Sequence, residues 1–305
     1  MKQKRLLTLF LLLITFFLSA QVKGIVKDSL TGKPISFVNI WVENENIGTT
    51  SEIDGTFLLD IKEEKNIIFS AIGFKTKNVK STAIENVQLV GKVYDLNEVV
   101  LTSSKKTKQI KIGNYDASGF RYRLDFNSNA VFFEATEDVL KHPYLKEIKF
   151  HTISDIDKAI IRIRILESNV DKTPGDDIIN EEIIVEVKKG SKANKKDFTD
   201  LNIKIPENGF YIVFEKLLIE ENKYYSERTY KDNLGNKYKR KEFSYQPNLA
   251  YVPSEENNFC YSPNSTNWKR RSKIELKKPK SYENLLMRKY HNKYLIPSLE
   301  IIMSN

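Results

Sequence analysis

Short apolar runs separated by turn residues dominate the chain. Val22–Lys27, Phe37–Val42, Thr56–Ile61 and Ile67–Ala71 are rich in β-branched and aromatic residues. Asp28–Lys33, Glu43–Gly48, Asp54–Gly55 and Glu63–Asn66 stand between them. Strands of that length and spacing predict a β-sandwich. In Thr31-Gly32-Lys33-Pro34, Gly32 is suited to positive φ and Pro34 fixes φ ahead of the next strand. Asp54-Gly55 predicts a hairpin turn. Beyond residue 112 the same grammar continues. Phe120–Phe126 and Ala130–Ala135 predict a strand pair joined at Asn127–Asn129. Ala159–Leu166 alternates with period two, placing Ile161, Ile163 and Ile165 on one side and Arg162 and Arg164 on the other, which predicts a strand with one buried face. Ile183–Val187 and Gly209–Ile219 are further strands. Asp171–Asp177, Lys188–Lys196 and Asp232–Asn236 read as turn-rich connections, and Glu137–Lys141 as a brief helix. This second region predicts a larger sandwich or jelly roll. No period of 20–50 residues marks a solenoid or propeller.

The first twenty residues follow a different rule. Lys2, Lys4 and Arg5 precede an apolar run from Leu6 to Leu18, and the small residues Ser19 and Ala20 precede Gln21. That order predicts a cleaved secretory leader over residues 1–20. The run is short for a bilayer span, which takes ~20 residues, and no later run is long enough. The remaining 285 of 305 residues exceed one ordinary domain, so two are expected. Cys260 is the only cysteine, which excludes an internal disulfide and a thiolate metal cluster. Between Phe259 and Tyr261 it is expected to be buried.

Four motifs fall in order along the first region: Thr31-Gly32-Lys33-Pro34-Ile35, Gly48-Thr49-Thr50, Asp54-Gly55-Thr56-Phe57 and Phe69-Ser70-Ala71-Ile72-Gly73-Phe74. Together they resemble the carboxypeptidase regulatory-like domain, over about residues 22–90. The resemblance implies a small prealbumin-like β-sandwich without a zinc site, of the kind found at the N-terminus of TonB-dependent outer-membrane importers. Asp95-Leu96-Asn97-Glu98-Val99-Val100-Leu101-Thr102 is similar to the stretch leading into the plug of those importers. About 200 residues remain after it, too few for a plug and a large barrel, whose strands take ~9–11 residues each. The expected order is therefore a leader over 1–20, a regulatory-like domain over 21–102, a linker over 103–112 that includes the polar run Ser103–Lys108, and a β-sandwich domain over 113–305. The segments Arg162-Ile163-Arg164-Ile165, Pro174-Gly175-Asp176-Asp177-Ile178 and Pro206-Glu207-Asn208-Gly209-Phe210 are similar to a β-sandwich region of envelope proteins that carry the same N-terminal module. That likeness implies no activity. The fold class expected is all-β, and the compartment the envelope of a Gram-negative bacterium: periplasm, outer membrane or cell surface.

Charge adds one candidate site. Residues 21–101 hold nine lysines and eleven acids, whereas residues 102–305 carry +8 of the chain's +9. Trp268–Lys280 alone holds Lys269, Arg270, Arg271, Lys273, Lys277, Lys278 and Lys280 against one acid, with Trp268 and Tyr282 at its ends. Cations beside aromatic platforms suit anionic glycans, lipopolysaccharide phosphates or an acidic outer-membrane protein. Trp268, Lys269, Arg271 and Lys273 are the candidate anion- or glycan-binding residues, with Arg270 pointing the other way by strand alternation. A solvated hairpin whose charges guard an edge strand explains the same residues. The leader argues against nucleic acid.

Catalytic patterns are sparse. His142, His151 and His291 show no His-Glu-x-x-His spacing. Asp171, Asp176 and Asp177 could offer oxygens to calcium, although Pro174-Gly175 in their midst reads better as a solvated hairpin. His151, Ser154 and Asp155 are near in sequence without a nucleophile elbow. Glu181-Glu182 and Glu220-Glu221 are adjacent, so in a strand their side chains diverge. Asn264-Ser265-Thr266 reads as a turn. No cofactor, metal or catalytic residue is expected. The function expected is non-catalytic binding or scaffolding in the envelope, with docking to an outer-membrane transport machine, or a hydrolase hidden in the second domain, as alternatives.

Overall fold

A computed structural model describes residues 21–92, 108–117, 127–262, 268–275 and 288–305. The leader, the Asp95–Thr102 stretch, the polar run after it to Thr107, the strand expected at Phe120–Phe126, the Asn264–Thr266 turn, Lys277, Lys278, Lys280 and Tyr282 lie outside those residues. The chain divides between Gly91 and Lys92 into two compact units, both built almost wholly of strands.

The first unit holds seven strands: β1 (Gln21–Asp28), β2 (Asn39–Val42), β3 (Gly48–Thr50), β4 (Thr56–Asp60), β5 (Asn66–Ser70), β6 (Lys77–Lys80) and β7 (Asn86–Leu89). They form two sheets, β4-β1-β7 and β3-β2-β5-β6. Only β1 and β7 run parallel. Alternation supplies the core. Phe57, Leu59, Val87 and Leu89 from one sheet meet Ile40, Val42, Ile67 and Phe69 from the other, with Phe57 and Phe69 edge to face at 5.6 Å. The first turn forms as expected. Gly32 has φ +67°, and the Asp28 carboxylate accepts from the Leu30 N–H and the Thr31 hydroxyl. The Asp54-Gly55 turn corrects an expectation. Gly55 has positive φ, yet β3 and β4 belong to different sheets. The turn carries the chain across the sandwich and closes no hairpin. It is packed there: a Cβ at Gly55 would lie 2.8 Å from the Val26 carbonyl oxygen.

The second unit holds β8 (Gln109–Asn114), β9 (Ser128–Phe133), a short helix α1 (Glu137–Lys141), β10 (Tyr144–Ser154), β11 (Ala159–Ser168), β12 (Pro174–Asp177), β13 (Ile183–Val187), β14 (Gly190–Asp197), β15 (Phe210–Lys216), β16 (Lys223–Lys231), β17 (Lys237–Tyr245), β18 (Asn248–Leu249), β19 (Tyr251–Ser254), β20 (Phe259–Ser262), β21 (Lys269–Arg270), β22 (Tyr294–Pro297) and β23 (Leu299–Ser304). One sheet runs β14-β10-β23-β8. The other runs β12-β11-β15-β9-β20-β21, with β13 also on β11. Between them lies the larger core, where Ile148, Phe150, Leu299, Ile301 and Met303 face Ile161, Ile163, Ile165, Ile212 and Phe214. The rings of Phe150 and Phe214 stand 4.8 Å apart. The Thr136 hydroxyl caps α1 by accepting from the Val139 N–H.

Four expectations are corrected here. Gln109–Asn114 is a strand, so the linker expected to reach residue 112 ends sooner. Ser128 and Asn129, expected in a turn, begin β9. Pro174–Asp177, expected within a loop, pairs with β11. Gly190–Asp197, expected within a connection, pairs residue by residue with β10 at the sheet edge. Its side chains are mostly exposed on both faces, so no hydrophobic alternation marks it, and five lysines within Lys188–Lys196 suit an edge that must not pair with other chains.

Candidate functional site

The basic segment is split by the fold. Trp268 is half-buried and packs on a small cluster of Ala130, Leu166, Tyr211, Val213 and Cys260. Lys269 and Arg270 pair with Tyr261 and Cys260, and there the strand ends. The alternation expected to align Lys269, Arg271 and Lys273 therefore does not extend past Arg270. Lys269 is exposed. The Arg271 guanidinium lies 5.9 Å from the Tyr261 ring centre and the Lys273 ammonium 5.4 Å from that of Tyr294, so both are engaged with aromatic faces. Arg270, the residue expected to point away, is the one that reaches a cleft. Its Nη1 donates to the Asn257 carbonyl at 2.9 Å and its Nη2 to the Lys172 carbonyl at 3.0 Å.

That cleft, of about 1090 Å³, is walled by β8 on one side and by Pro253–Asn258 on the other. Its floor is apolar: Val131, Phe133, Ile296 and Leu299. Lys111, Lys172 and Arg270 face Glu134, Asp138, Glu255 and Glu256 around it, so its charge is nearly balanced. Glu255 is itself paired with Lys293. The wall of β8 stands close because Gly113 has φ +117° and no side chain. A Cβ there would lie 2.4 Å from the Leu299 carbonyl oxygen. Asn257 and Asn258 line the cleft, and the carboxamide oxygen of each is shielded from solvent and has no hydrogen-bond partner among the described residues. A shielded acceptor without a donor is costly, and a group in the cleft could reach either oxygen only if the Asn side chain turned.

The most charged interior lies elsewhere. Arg162, expected on an exposed strand face, is buried, and Arg164 on the same face is mostly covered. Arg162 sits directly opposite Glu215 on β15 and donates from Nη1 to it at 3.1 Å and from Nε to Glu182 at 3.0 Å. Arg164 donates to Glu215 at 2.8 Å and, through two nitrogens, to both Asp177 oxygens at 2.8 Å. Burial alone would raise the Glu215 carboxyl, but the two guanidiniums outweigh it and hold it at about 2. Each charged group is satisfied by a partner, so the array reads as structural. It also turns Asp177 inward, while Asp171 accepts from the Thr173 N–H and hydroxyl. The three aspartates of that loop do not converge on one point.

The His151-Ser154-Asp155 segment forms no triad. Ser154 donates to the Ile156 carbonyl and Asp155 neighbours Gln246. The His151 ring instead bridges Tyr115 at 3.3 Å through Nδ1 and Ser191 at 2.8 Å through Nε2. When the Tyr115 phenol donates to Nδ1, the ring proton sits on Nε2 and points at Ser191, the wrong tautomer for a base toward that hydroxyl. Burial lowers the His151 pKa, keeping the ring neutral. Cys260 is buried as expected, and burial pushes its thiol up. Glu182 is committed to Arg162, and Glu220 to Lys223 and Tyr225.

With this geometry in view, comparison with known proteins assigns the first unit. Residues 22–101 match the family model described as CarboxypepD_reg-like domain. The TonB-dependent receptor SusC of Bacteroides thetaiotaomicron is 35% identical over 101 residues, 33% of this chain and 10% of the receptor. The TonB-dependent receptor P3 of Formosa agariphila is 37% identical over 100 residues, 32% of this chain and 10% of that receptor. This chain thus aligns with only a tenth of either relative's length. Among solved structures, that of infectious bursal disease virus Gx strain is 11% identical, covering 64% of this chain and 50% of that one, with a TM-score of 0.20. So low a score carries no argument. Among the described residues no helix is long and apolar enough to cross a membrane. The unit built from β1 to β7 is accordingly a CarboxypepD_reg-like domain, shared with TonB-dependent receptors.

Proposed function

We propose that this chain is a non-catalytic binding protein of the cell envelope, exported through a leader removed after Ala20, and that its second unit holds a glycan in the cleft beside Arg270. The observation that carries the reading is the cleft itself, about 1090 Å³, whose lining joins the Asn257 and Asn258 side chains to apolar residues and a nearly balanced set of charges. Sugars combine hydroxyl groups with apolar C–H faces, and a cleft lined by both polar and apolar residues can meet both. The near balance of charge in the cleft favours a neutral glycan there over the anionic one expected at Trp268, Lys269, Arg271 and Lys273. The separate partners taken by His151, Ser154 and Asp155 support the non-catalytic half of the reading.

A glycan array followed by calorimetry tests it. The unaltered protein is expected to bind a neutral oligosaccharide. A variant with Asn257→Ala and Asn258→Ala is expected to lose about 1–3 kcal/mol of that affinity, the value of a buried hydrogen-bonding group left unmatched. Its melting temperature should hold. No glycan binding, or equal binding by the variant, sinks the proposal. A second reading, docking to an outer-membrane transport machine, is favoured by the domain shared with the two receptors. Cross-linking in envelope fractions that captures an outer-membrane transporter through the first unit supports it.

A further inference from the structure

The ribbon β16–β17 is unlike the rest of the molecule. Its nine residue pairs run from Lys223↔Tyr245 to Lys231↔Lys237, and among the described residues it pairs with no other strand. At about 3.4 Å per residue it extends for roughly 30 Å. An isolated two-stranded ribbon is marginally stable in water, but this one has a fixed root. The buried Asn222 carboxamide donates to the Ile160 and Leu217 carbonyls and accepts from the Ile160 N–H. The Gln246 N–H closes the base by donating to the Asn222 carbonyl.

Rings and cations crowd both faces. On one face, Tyr225 and Phe243 lie opposite each other, 59% and 53% exposed, with Lys239, Lys241, Lys231 and Lys237 beyond them. On the other, Tyr230 stacks on Tyr238 at 5.8 Å, next to Arg228 directly opposite Arg240. Like charges facing each other weaken a hairpin; Glu242 offsets Arg228, while no acid pairs with Arg240 among the described residues. The segment Lys223–Tyr245 holds seven cations and three acids. Glu227 is taken by Lys239, and Glu242 by Arg228 and Tyr230, which leaves Lys231, Lys237, Arg240 and Lys241 free among the described residues.

We propose that the β16–β17 ribbon is a second binding site, an arm that grips an acidic polysaccharide. A planar membrane could meet only one face of the ribbon, whereas a linear polymer can follow both. The exposed tip residue Leu234 stands alone in a polar turn, too little apolar surface to insert in lipid. The carboxylates interleaved among the cations suit a polymer with one carboxylate per sugar ring, a wider charge spacing than that of a nucleic acid strand with a phosphate every ~3.4 Å. Tyr225, Phe243 and Tyr238 each leave about half of their surface exposed, and these individual rings offer faces on which sugars can pack.

The test measures retardation of the purified full chain in native gels containing alginate, a polyuronate, across a salt series. Dextran, a single-stranded oligonucleotide and anionic phospholipid vesicles serve as the comparisons. Alginate should retard the protein, and salt should abolish this as the screening length falls below ~8 Å. A variant with Lys237→Gln, Arg240→Gln and Lys241→Gln should bind about tenfold more weakly, three exposed contacts each of modest value, with an unchanged melting curve. Tyr238→Ala should weaken binding as well, and if that variant misfolds the charge variant decides. Equal alginate binding by the charge variant overturns the proposal. So does tighter binding to the oligonucleotide or the vesicles, or equal binding to dextran.

Discussion

Gly48 stands opposite Trp41 on the paired strands β2 and β3, and the indole lies across the space where a side chain would be. A Cβ at Gly48 would come within 2.2 Å of Trp41 Cε3. This contact gives a physical reason for the glycine in the Gly48-Thr49-Thr50 motif: the bare backbone is the seat of a ring. Gly48→Ala should destabilise the first unit by about 1–3 kcal/mol, the usual cost of overpacking. Gly48→Ala combined with Trp41→Leu, which clears the seat, should cost less than the two single changes added. Thermal melts of the three variants check this, and simple additivity would show that the ring does not set the requirement. The neighbouring Ser51 illustrates another role that sequence conceals. Its buried hydroxyl accepts from the Val38 N–H and donates to the Ile35 carbonyl, adding side-chain bonds where the backbones of Phe37, Val38 and Ser51 already pair.

Across one face of β11 and β15, and onto β12, the Arg162-Glu215-Arg164-Asp177 array is a larger unit of the same kind. Glu215 is held at about 2 against an ordinary 4.5. A depressed carboxyl stabilises the fold fully above its unfolded value, and the contribution is lost as pH falls from about 4.5 toward 2. Glu215→Gln should cost about 3–5 kcal/mol at neutral pH, because two guanidiniums lose their shared charge in a buried place. It should also flatten the decline in melting temperature over that acid window. Melts by circular dichroism between pH 2 and 7 check both, and an unaltered slope in the variant would assign the acid sensitivity to other carboxyls.

This face also marks how far the sequence could be read. Period two in Ala159–Leu166 located the strand and its apolar side correctly, because Ile161, Ile163 and Ile165 had to be buried. The arginines looked solvated because alternation cannot tell water from a buried counter-ion. The available signal was Glu215, a lone acid at the end of the apolar run Phe210–Phe214. The turn chemistry of the first unit was legible because Gly and Pro act locally, but whether Asp54-Gly55 joined partners in one sheet depended on distant strands. At the candidate site the sequence could not show which side chains of Trp268–Lys273 line a cleft. Arg270 reaches the cleft because β21 stops after two residues, and Asn257 and Asn258, a plain dipeptide, carried no signal at all.

At the scale of the whole molecule, the two units have separate cores. The first, with twelve buried apolar residues in its core, recurs in receptors whose remaining nine-tenths this chain does not match. Residues 21–92 expressed alone should therefore fold, with a single cooperative melt and dispersed amide resonances, as domains of this size can. A collapsed or unfolded fragment would mean that it borrows stability from the rest of the chain. The second unit closes differently. Leu299–Ser304 lies between β10 and β8, so this segment is an inner strand of its sheet, and β8, nearly two hundred residues earlier, has its ladder among the described residues only with that segment. A nascent second unit thus cannot complete this sheet until synthesis has reached residue 304. Pairing at such sequence separation is slow to nucleate, so the closing of this sheet by β23 is expected to come late in folding, after the strands paired over short loops.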